Sequence, residues 1–321
     1  MANQSTSSLM MVRPATFRKN EQTAVNNHFQ QQLADKTDEE VLDLALAEFD
    51  GFVDKLRDAG VNVIVFEADS ELDAPDALFP NNWVSFHDNG TIGLYPMFAE
   101  NRRIERRDDI VHDLEHMHGF DVREIIDFTE FEEHEKFLEG TGSLVLDRQH
   151  NRAYAALSPR TDRLAFAHFC DEMDMDGVAF HAMQDTPDGR EPIYHTNVMM
   201  AIGTSFAVVC LACIDDMDER EMVRQSLEAD GLEVIVLTAE EIAHFTGNML
   251  EVKSQGGETL IVMSEQAHQA LAPEKLVQLE AHGKIISAPL STIETCGGGS
   301  ARCMLAEIHL PLVTTDETSA S

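Results

Sequence analysis

The sequence predicts an α/β fold made of five repeated units, arranged as a five-bladed propeller with pseudo-fivefold symmetry. Two observations lead to this prediction. A helical pattern that ends at a glycine and runs into a short β-branched strand recurs along the chain, and paired strand-like segments lie between its copies. Because so small a unit cannot bury its apolar face alone, we expect the five units to pack side by side around a central site.

The glycine-ended pattern is clear at Gly60, Gly119 and Gly231, and looser copies occur at Gly177 and Gly283. Before the clear copies, apolar residues recur three and four positions apart, and glycine is a common residue at a helix end. The five glycines are 59, 58, 54 and 52 residues apart by subtraction of their numbers. This spacing is an imperfect period, and each unit reads as a helix followed by a strand.

Paired strand signals with turn residues between them predict the hairpins. A fifth hairpin is expected near residues 304–310, with an N-terminal strand at 9–13 closing the ring. The other predicted pairs are 83–86 with 91–95, 143–146 with 153–156, 198–202 with 206–211, and 249–252 with 259–263. Residues 1–321 are therefore expected to form a single domain, with flexible ends at 1–8 and 314–321, which are rich in Ser, Thr and Ala.

The composition bounds the function. The chain of 321 residues has 58 acidic and 23 basic side chains, a net charge of -35, which argues against nucleic acid as a partner. A solvated acidic surface is the favoured explanation of this negative charge. Electrostatic attraction of a cationic substrate is the more specific alternative. No apolar stretch reaches the roughly 18 residues that cross a membrane. A small-molecule substrate is the expected partner, and a homodimer is left open.

Five cysteines, an odd number, and the lack of a leader pattern favour a reduced, cytoplasmic protein. Cys210 and Cys213 have the spacing of a zinc pair, but they lie in an apolar run without a second pair, so core cysteines are the favoured interpretation. We therefore expect no metal and no cofactor.

The segments that open the five hairpins begin 13 to 20 residues after the repeat glycines and carry unusual polar residues. In a pseudo-fivefold fold, equivalent positions converge on the axis. The pattern therefore predicts that five side chains, distant in sequence, lie close together: Asn82, Glu139, His195, Asn248 and Cys296.

Three of these residues form a nucleophilic set. A cysteine needs a basic or electropositive neighbour to become a thiolate, and a histidine needs a carboxylate to fix its tautomer. Cys296, His195 and Glu139 supply these groups. Taken singly, each of these residues could be a structural residue or a solvated surface residue. Because the three share one position in the repeat, a functional role is the favoured interpretation.

With these motifs in place, nearly the whole chain resembles the guanidino-group-modifying enzymes of the pentein fold. The resemblance rests on five segments in the family's order: 79–82 (FPNN), 139–142 (EGTG), 157–162 (LSPRTD), 195–197 (HTN) and 295–299 (TCGGG). Residues 11–14 and 26–30 look like the branch of arginine-deiminase-related or citrulline-utilisation hydrolases.

The resemblance implies that Cys296 is the nucleophile, that His195 moves protons, and that Glu139 orients His195 or contacts substrate nitrogens. It also implies that Arg160 grips the substrate carboxylate, where a planar bidentate donor is suited to the task. A second arginine of this kind is either Arg102 or Arg103, a choice that the sequence leaves open.

Two positions depart from the arginine deiminase pattern, in which Asn82 and Asn197 are aspartates. Amides remove two negative charges and offer both a donor and an acceptor, which suits a neutral ureido group. The sequence therefore favours hydrolysis of citrulline to ornithine, ammonia and carbon dioxide through an S-linked intermediate. Succinylarginine dihydrolases resemble this pattern and start from a guanidinium, so an arginine deiminase or dihydrolase activity is the alternative.

Two further alternatives are of other classes. A non-catalytic binding module of the same fold would not need Cys, His and Glu at matching repeat positions. A zinc hydrolase built on Cys210 and Cys213 is the weakest hypothesis.

Overall fold

A computed structural model describes residues 2–187 and 189–313 of the chain. Within these residues, five three-stranded sheets share one topology: an antiparallel hairpin whose second strand pairs in parallel with a third strand. Four of them follow chain order, with strands Val84–Phe86, Thr91–Leu94 and Glu124–Asp127; Val145–Asp147, Arg152–Ala156 and Asp176–Phe180; Met200–Ile202, Phe206–Val209 and Glu233–Val236; and Leu250–Lys253, Thr259–Ser264 and Lys284–Ala288.

The fifth sheet joins the two ends of the chain. Strand Ser8–Arg13 pairs antiparallel with Ala306–Glu307 and parallel with Asn62–Glu67. Its register places Leu9 opposite Glu307, as the predicted pairing of an N-terminal strand with the fifth hairpin requires. A separate two-stranded ribbon, Met183–Thr186 with Gly189–Pro192, was not predicted.

Helices connect the second and third strands of each sheet and cover its outer side. Asp38–Asp58 shows why: Thr37 and Glu40 form a capping box at its start, and its apolar stripe, which includes Phe49 and Phe52, is buried. The α-helices are Glu21–Ala24, Asp38–Asp58, Asp108–His116, Gly140–Ser143, Arg163–Glu172, Met217–Ala229, Ala239–Ile242, Glu265–Ala270, Pro273–His282 and Ser291–Gly297. Short 3-10 helices span Pro80–Asn82, Glu100–Glu105, Thr129–His134, Thr196–Val198, Leu211–Cys213 and Ala301–Met304.

The repeat glycines behave in two ways. Gly60, Gly119 and Gly231 have φ of 84°, 72° and 79°, the left-handed conformation that ends a helix, as predicted. The two looser copies differ. Gly177 lies inside strand Asp176–Phe180, and Gly283 has an extended backbone, with φ of -175°.

The predicted α/β class and the repeated unit are therefore confirmed. The five sheets are small and separate, so their closure into a five-bladed propeller stays a prediction. No helix in the described part of the chain is long and apolar enough to cross a membrane.

The predicted flexible N-terminal end is contradicted from residue 4 onward. Gln4 and Ser5 are buried; the Gln4 amide donates to the carbonyls of Leu146 and Ile202 and accepts from the Arg148 backbone N–H. These partners lie in two different sheets, so the segment is held in the interior. The other predicted flexible end, residues 314–321, lies outside the described residues.

Candidate active site

The five segments that precede the hairpins of the repeated units meet in the interior of the protein. Each precedes the first strand of its sheet, and hydrogen bonds connect one segment to the next. The connections are Thr141 Oγ1 to Asn81 O (3.4 Å), Asn197 Nδ2 to Thr141 O (3.0 Å), Asn248 Nδ2 to Asn197 O (3.1 Å) and Arg302 N to Asn248 Oδ1 (3.0 Å). The predicted convergence of the repeat positions is therefore observed for Asn82, Glu139, His195 and Asn248, but not for Cys296.

His195 and Glu139 form a buried pair. His195 Nε2 lies 2.7 Å from Glu139 Oε2, and the Phe98 backbone N–H donates to Glu139 Oε1 at 3.0 Å. The Arg160 guanidinium lies 3.4 Å from the same carboxylate. His195 Nδ1 has no hydrogen bond to the described residues, so Glu139 holds the ring through Nε2 alone.

The charges of this pair follow from its surroundings. Burial lowers the pKa of His195 to about 4, although the hydrogen bond to Glu139 acts in the opposite direction. Burial raises the pKa of Glu139, but the charge of Arg160 and the hydrogen bond from His195 outweigh it, and the pKa is lowered. Near pH 7 the pair is thus a carboxylate with a neutral imidazole.

Gly142 makes room for the histidine ring. A Cβ at this position would lie 2.8 Å from His195 Cε1 and Nδ1 and 2.4 Å from Asn82 Nδ2. Any side chain at position 142 would displace one of these groups. The glycine in the 139–142 motif is therefore required by the close approach of His195 and Asn82.

The thiol in this site belongs to Cys303. Cys303 Sγ lies 3.2 Å from Asn248 Nδ2 and 3.8 Å from Asn197 Oδ1. It lines the same small cavity as His195, and the other lining residues are Asn27, Gln30, Asp76, Phe79, Asn82, Arg102, Arg160, Tyr194 and the glycines 297–299.

Cys296 lies elsewhere. It is on helix Ser291–Gly297, packed in an apolar cluster, and it borders a different cavity with Leu33 and Val41. Burial raises the pKa of its thiol. The glycine turn 297–299, with Gly298 at φ of 62°, separates this helix from the segment that carries Cys303.

Spacing could have identified Cys303. It follows Gly283 by 20 residues, as Glu139 follows Gly119, whereas Cys296 follows Gly283 by only 13. The offset of Cys296 was the smallest of the five. Helix Ser291–Gly297 lies between Gly283 and the segment that carries Cys303, and it accounts for the difference between the two spacings.

The structure separates the two candidate arginines. Arg102 is buried, donates from Nη1 to Asn82 Oδ1 at 2.8 Å, and forms a bidentate pair with Glu105 at 2.9 and 2.8 Å. Arg103 turns away: it donates to the Met97 carbonyl and pairs with Glu132. Arg102 therefore belongs to the site and Arg103 does not.

Arg160 reaches the site from the turn before helix Arg163–Glu172. Its Nε donates to Asn26 Oδ1 at 2.8 Å and its Nη2 to the Thr23 carbonyl at 2.7 Å. The guanidinium carbon lies 5.0 Å from the centre of the Tyr194 ring. These contacts hold the planar donor group against the cavity.

Asp76 is a site residue that the sequence did not reveal. It is 2% exposed; its Oδ2 accepts from Asn20 Nδ2 at 2.8 Å and from Thr23 Oγ1 at 3.1 Å. Its Oδ1 is buried without a hydrogen-bond partner among the described residues. An unpaired buried acceptor beside the cavity marks a place for an N–H donor of a ligand.

The segment 20–30 covers the site. Asn27 donates to the Gly298 carbonyl at 3.1 Å, and Gln30 donates to the Gly297 carbonyl at 3.0 Å. The motif at residues 26–30 pointed to this segment without giving its location. Asn27 and Gln30 of this segment therefore form part of the cavity wall.

Cys210 and Cys213 are core residues, with their sulfurs 3.1 Å apart. The one group with metal-ligand geometry among residues 2–187 and 189–313 is Asp147, His150 and Asp230, which does not include them. All five cysteines are free thiols.

A family model described as N,N dimethylarginine dimethylhydrolase, eukaryotic, matches residues 13–310 of the chain. The chain belongs to this family. Membership in the dimethylhydrolase family confirms the predicted place among the pentein guanidino-modifying hydrolases. No curated protein sequence matches this dimethylhydrolase family member.

Solved structures show the same fold at low identity. The family member is similar to ArgZ, an arginine dihydrolase from the ornithine-ammonia cycle in cyanobacteria, with 15% identity, a TM-score of 0.69, and coverage of 98% of this chain and 42% of ArgZ. AgrE in complex with ornithine and NAD+ gives 15% identity, a TM-score of 0.71, and coverage of 96% and 40%. A dimethylarginine dimethylaminohydrolase adduct with S-methyl-L-thiocitrulline gives 13% identity, a TM-score of 0.63, and coverage of 96% and 100%.

The chain thus spans about two fifths of the length of ArgZ and AgrE. Within ArgZ the match is the N-terminal domain, of which the chain covers 99% at a TM-score of 0.69.

Proposed function

We propose that this protein hydrolyses the guanidino group of arginine twice, to ornithine, two ammonia molecules and carbon dioxide, with Cys303 as nucleophile. The observation that carries the proposal is that Cys303 and His195 line one buried cavity, with His195 paired to Glu139. A thiol, a neutral imidazole with a free nitrogen and an orienting carboxylate make up the set that covalent hydrolysis needs.

Charge favours a guanidinium over a ureido group as the entering substrate. The buried carboxylates at the site are Asp76, Glu105 and Glu139, and the buried guanidinium groups are Arg102 and Arg160. Burial raises the pKa of Glu105 to about 7, but its bidentate pair with Arg102 favours the carboxylate; with Glu105 ionised and His195 neutral, the site carries one negative charge more than positive. A substrate with a net positive charge offsets this excess, and arginine has one whereas citrulline has none.

In the first half of the reaction, His195 takes the proton of the Cys303 thiol, and the resulting thiolate bonds to the guanidino carbon while the C–N bond to the departing nitrogen breaks. His195 donates the proton that the departing ammonia carries away. Water, deprotonated by His195, then attacks the same carbon, and the S–C bond breaks to release a ureido group. The atoms balance with one water consumed and one ammonia formed.

The amides Asn82 and Asn197 support the second half. Asn82 lines the cavity, and each amide carries both an acceptor and a donor, the combination that suits a ureido group and that made the sequence favour citrulline. A second round of thiolate addition and hydrolysis would cleave citrulline to ornithine, ammonia and carbon dioxide. Citrulline is therefore proposed as the intermediate of this site and as a second substrate of it.

Arg102 and Arg160 are proposed to hold the substrate carboxylate, and Asp76 to accept from a cationic N–H group. Asn248 is proposed to keep Cys303 in place.

We also propose that the five units close into a five-bladed propeller, since the hydrogen bonds between their site segments run in chain order. The proposed reaction is the one for which ArgZ, a structurally similar protein, is described: ArgZ is an arginine dihydrolase.

The test is a substrate panel of arginine, dimethylarginine and citrulline, with ornithine, citrulline, dimethylamine and ammonia measured. We expect arginine to give ornithine and two ammonia molecules, and citrulline to be turned over more slowly. Citrulline as the end product of arginine, with no ornithine formed, would reduce the proposal to a deiminase. Turnover of citrulline with none of arginine would overturn the choice of a guanidinium.

A further inference from the structure

The molecule has a second polar region, at the end of the sheets opposite the active site. The active-site segments precede the first strand of each hairpin, so the hairpin turns lie at the other end. Four of these turns and the N-terminal segment line a cavity of about 740 Å³, with Gln4, Asp88, Gln149, Thr204, Gln255 and His309 in its wall. The proposed reaction uses none of these residues.

Arg148 is a buried cation without a carboxylate partner. It follows strand Val145–Asp147 and is 7% exposed. Its guanidinium makes one long contact, from Nη1 to His87 Nδ1 at 3.5 Å, and no carboxylate oxygen of the described residues lies within 4.0 Å of it. Burial lowers the pKa of Arg148 although Glu307 acts in the opposite direction. A buried charge left unpaired is strongly unfavourable.

The other buried arginines differ from Arg148 in this respect. Each has a carboxylate close by: Arg102 pairs with Glu105 at 2.8 Å, Arg160 lies 3.4 Å from Glu139, and Arg302 pairs with Glu307 at 2.5 Å. Arg148 is thus the exception in a chain with 58 acidic residues. The chain as a whole is rich in carboxylates, and it is only around Arg148 that a carboxylate partner is lacking.

The groups around Arg148 leave an excess of positive charge. Arg302 and Glu307 neutralise each other, and His87 and His309 are uncharged near pH 7 because burial lowers the pKa of both, that of His309 to about 4. His309 Nε2 is buried without a hydrogen-bond partner among the described residues. These buried groups therefore have one net positive charge, with the negative charge of the exposed Asp88 farther away, and His309 Nε2 lies 3.9 Å from Glu307 Oε1.

A small cavity lies within this cluster. It measures about 20 Å³ and is lined by Arg148, Arg302, Glu307, Gln4 and Thr141, together with apolar strand residues. A cavity of roughly 10 to 15 Å³ is enough for one water, so this one has room for a single-atom ion and not for a metabolite.

We propose that this cavity binds one small monovalent inorganic anion of the size of chloride, with Arg148 as its main ligand. The anion supplies the negative charge that the fold does not provide to Arg148. The site lies directly beneath the catalytic segments, because Arg302 also donates its backbone N–H to Asn248 and Thr141 accepts from Asn197. Anion binding therefore stabilises the base of the active site.

The first test is bromide soaked into crystals of the full chain, located by its anomalous scattering. We expect a peak within hydrogen-bonding distance of the Arg148 guanidinium in the wild type, and no peak there in Arg148→Met. Bromide peaks at other places only, or a peak that persists in Arg148→Met, would overturn the proposal.

The second test is thermal unfolding in chloride against methanesulfonate at constant ionic strength. Saturable binding to the native state raises Tm, by roughly 2 °C when chloride exceeds its Kd about tenfold. We expect the exposed control Arg123→Met to keep this chloride-specific rise and Arg148→Met to lose it. An equal rise in all three proteins contradicts the proposal, and if Arg148→Met does not fold, the wild-type bromide map decides.

Discussion

Asn248 Nδ2 lies 3.2 Å from Cys303 Sγ, and this contact fixes the thiol at the junction of the fourth and fifth units. The same Asn248 side chain accepts from the Arg302 backbone N–H at 3.0 Å, so it holds the segment before the thiol as well as the thiol itself. Cys303 is thereby presented to the cavity that contains His195.

Replacement of Cys303 tests the nucleophile. We expect Cys303→Ala to lower kcat for arginine by at least about a thousandfold, because no S-linked intermediate can form. Cys296→Ala is the matched control, since it removes an equally buried thiol outside the site, and it should stay within about threefold of wild type. Mass spectrometry of the quenched wild type should place the adduct on Cys303. Loss of activity in Cys296→Ala with activity kept in Cys303→Ala would reverse the assignment.

Glu139→Gln tests the orienting carboxylate. The amide cannot stabilise the protonated imidazole of His195, and we expect kcat to fall by roughly a hundredfold to ten-thousandfold. Glu132→Gln is a suitable control, because Glu132 pairs with Arg103 and Arg106 outside the cavity. Equal activity of the two variants would show that Glu139 has no part in proton transfer.

The pH dependence follows from His195. Because burial lowers its pKa to about 4, the imidazole stays neutral well below its ordinary value of 6.5. We expect the acidic limb of kcat/KM for arginine to lie near pH 4, with circular dichroism at each pH to verify that the protein is folded. An acidic limb at pH 6.5 would mean that His195 is exposed to solvent during catalysis.

The same shift predicts a contribution to stability. The unfolded state binds a proton on His195 below pH 6.5, whereas the folded state does not until about pH 4, so this group lowers the free energy of unfolding as the pH falls from 6.5 towards 4. Urea unfolding of wild type and His195→Asn at pH 7 and pH 5 should show a smaller pH-dependent loss in the variant. Parallel curves would contradict the lowered pKa.

Gly142→Ala tests the close approach of His195. The added Cβ would lie 2.8 Å from the imidazole, so we expect the ring to move and kcat to fall by roughly a hundredfold. Gly51→Ala is the control, since a Cβ there meets nothing within 4 Å. That change, inside a helix, should leave activity unchanged and stabilise the protein by about 0.5 to 1 kcal/mol.

Asp76→Asn tests recognition of the cationic substrate. Removing the charge of the unpaired Oδ1 should raise KM for arginine by about tenfold or more, because one charge-assisted hydrogen bond is lost. Asp73→Asn, three residues away in an exposed pair with Arg18, should leave KM unchanged. Equal KM values in wild type and Asp76→Asn would remove Asp76 from the binding site.

The repeated unit was predictable because periodicity is a local property of the sequence. Helix Asp38–Asp58 has its apolar stripe and capping residues in adjacent turns, and Gly60 marks its end. Glu139 and His195 were also identified, since each follows its repeat marker by a similar number of residues.

The choice of cysteine failed for a geometric reason. The fifth unit contains helix Ser291–Gly297 between its last strand and its site segment, and the conspicuous Cys296-Gly297-Gly298-Gly299 motif ends that helix instead of opening the hairpin. Asp76 was missed for another reason: it lies in a loop without periodicity, and its importance depends on burial against Asn20 and Thr23.

The joining of the chain ends in the fifth sheet has a consequence for how the protein is made. Strand Ser8–Arg13 can pair with Ala306–Glu307 only after that strand is synthesised, and the later strand directly follows the segment that carries Cys303. The nascent chain therefore contains Glu139 and His195 before it contains Cys303, and the proposed set of three groups can assemble only after residue 303 has been synthesised.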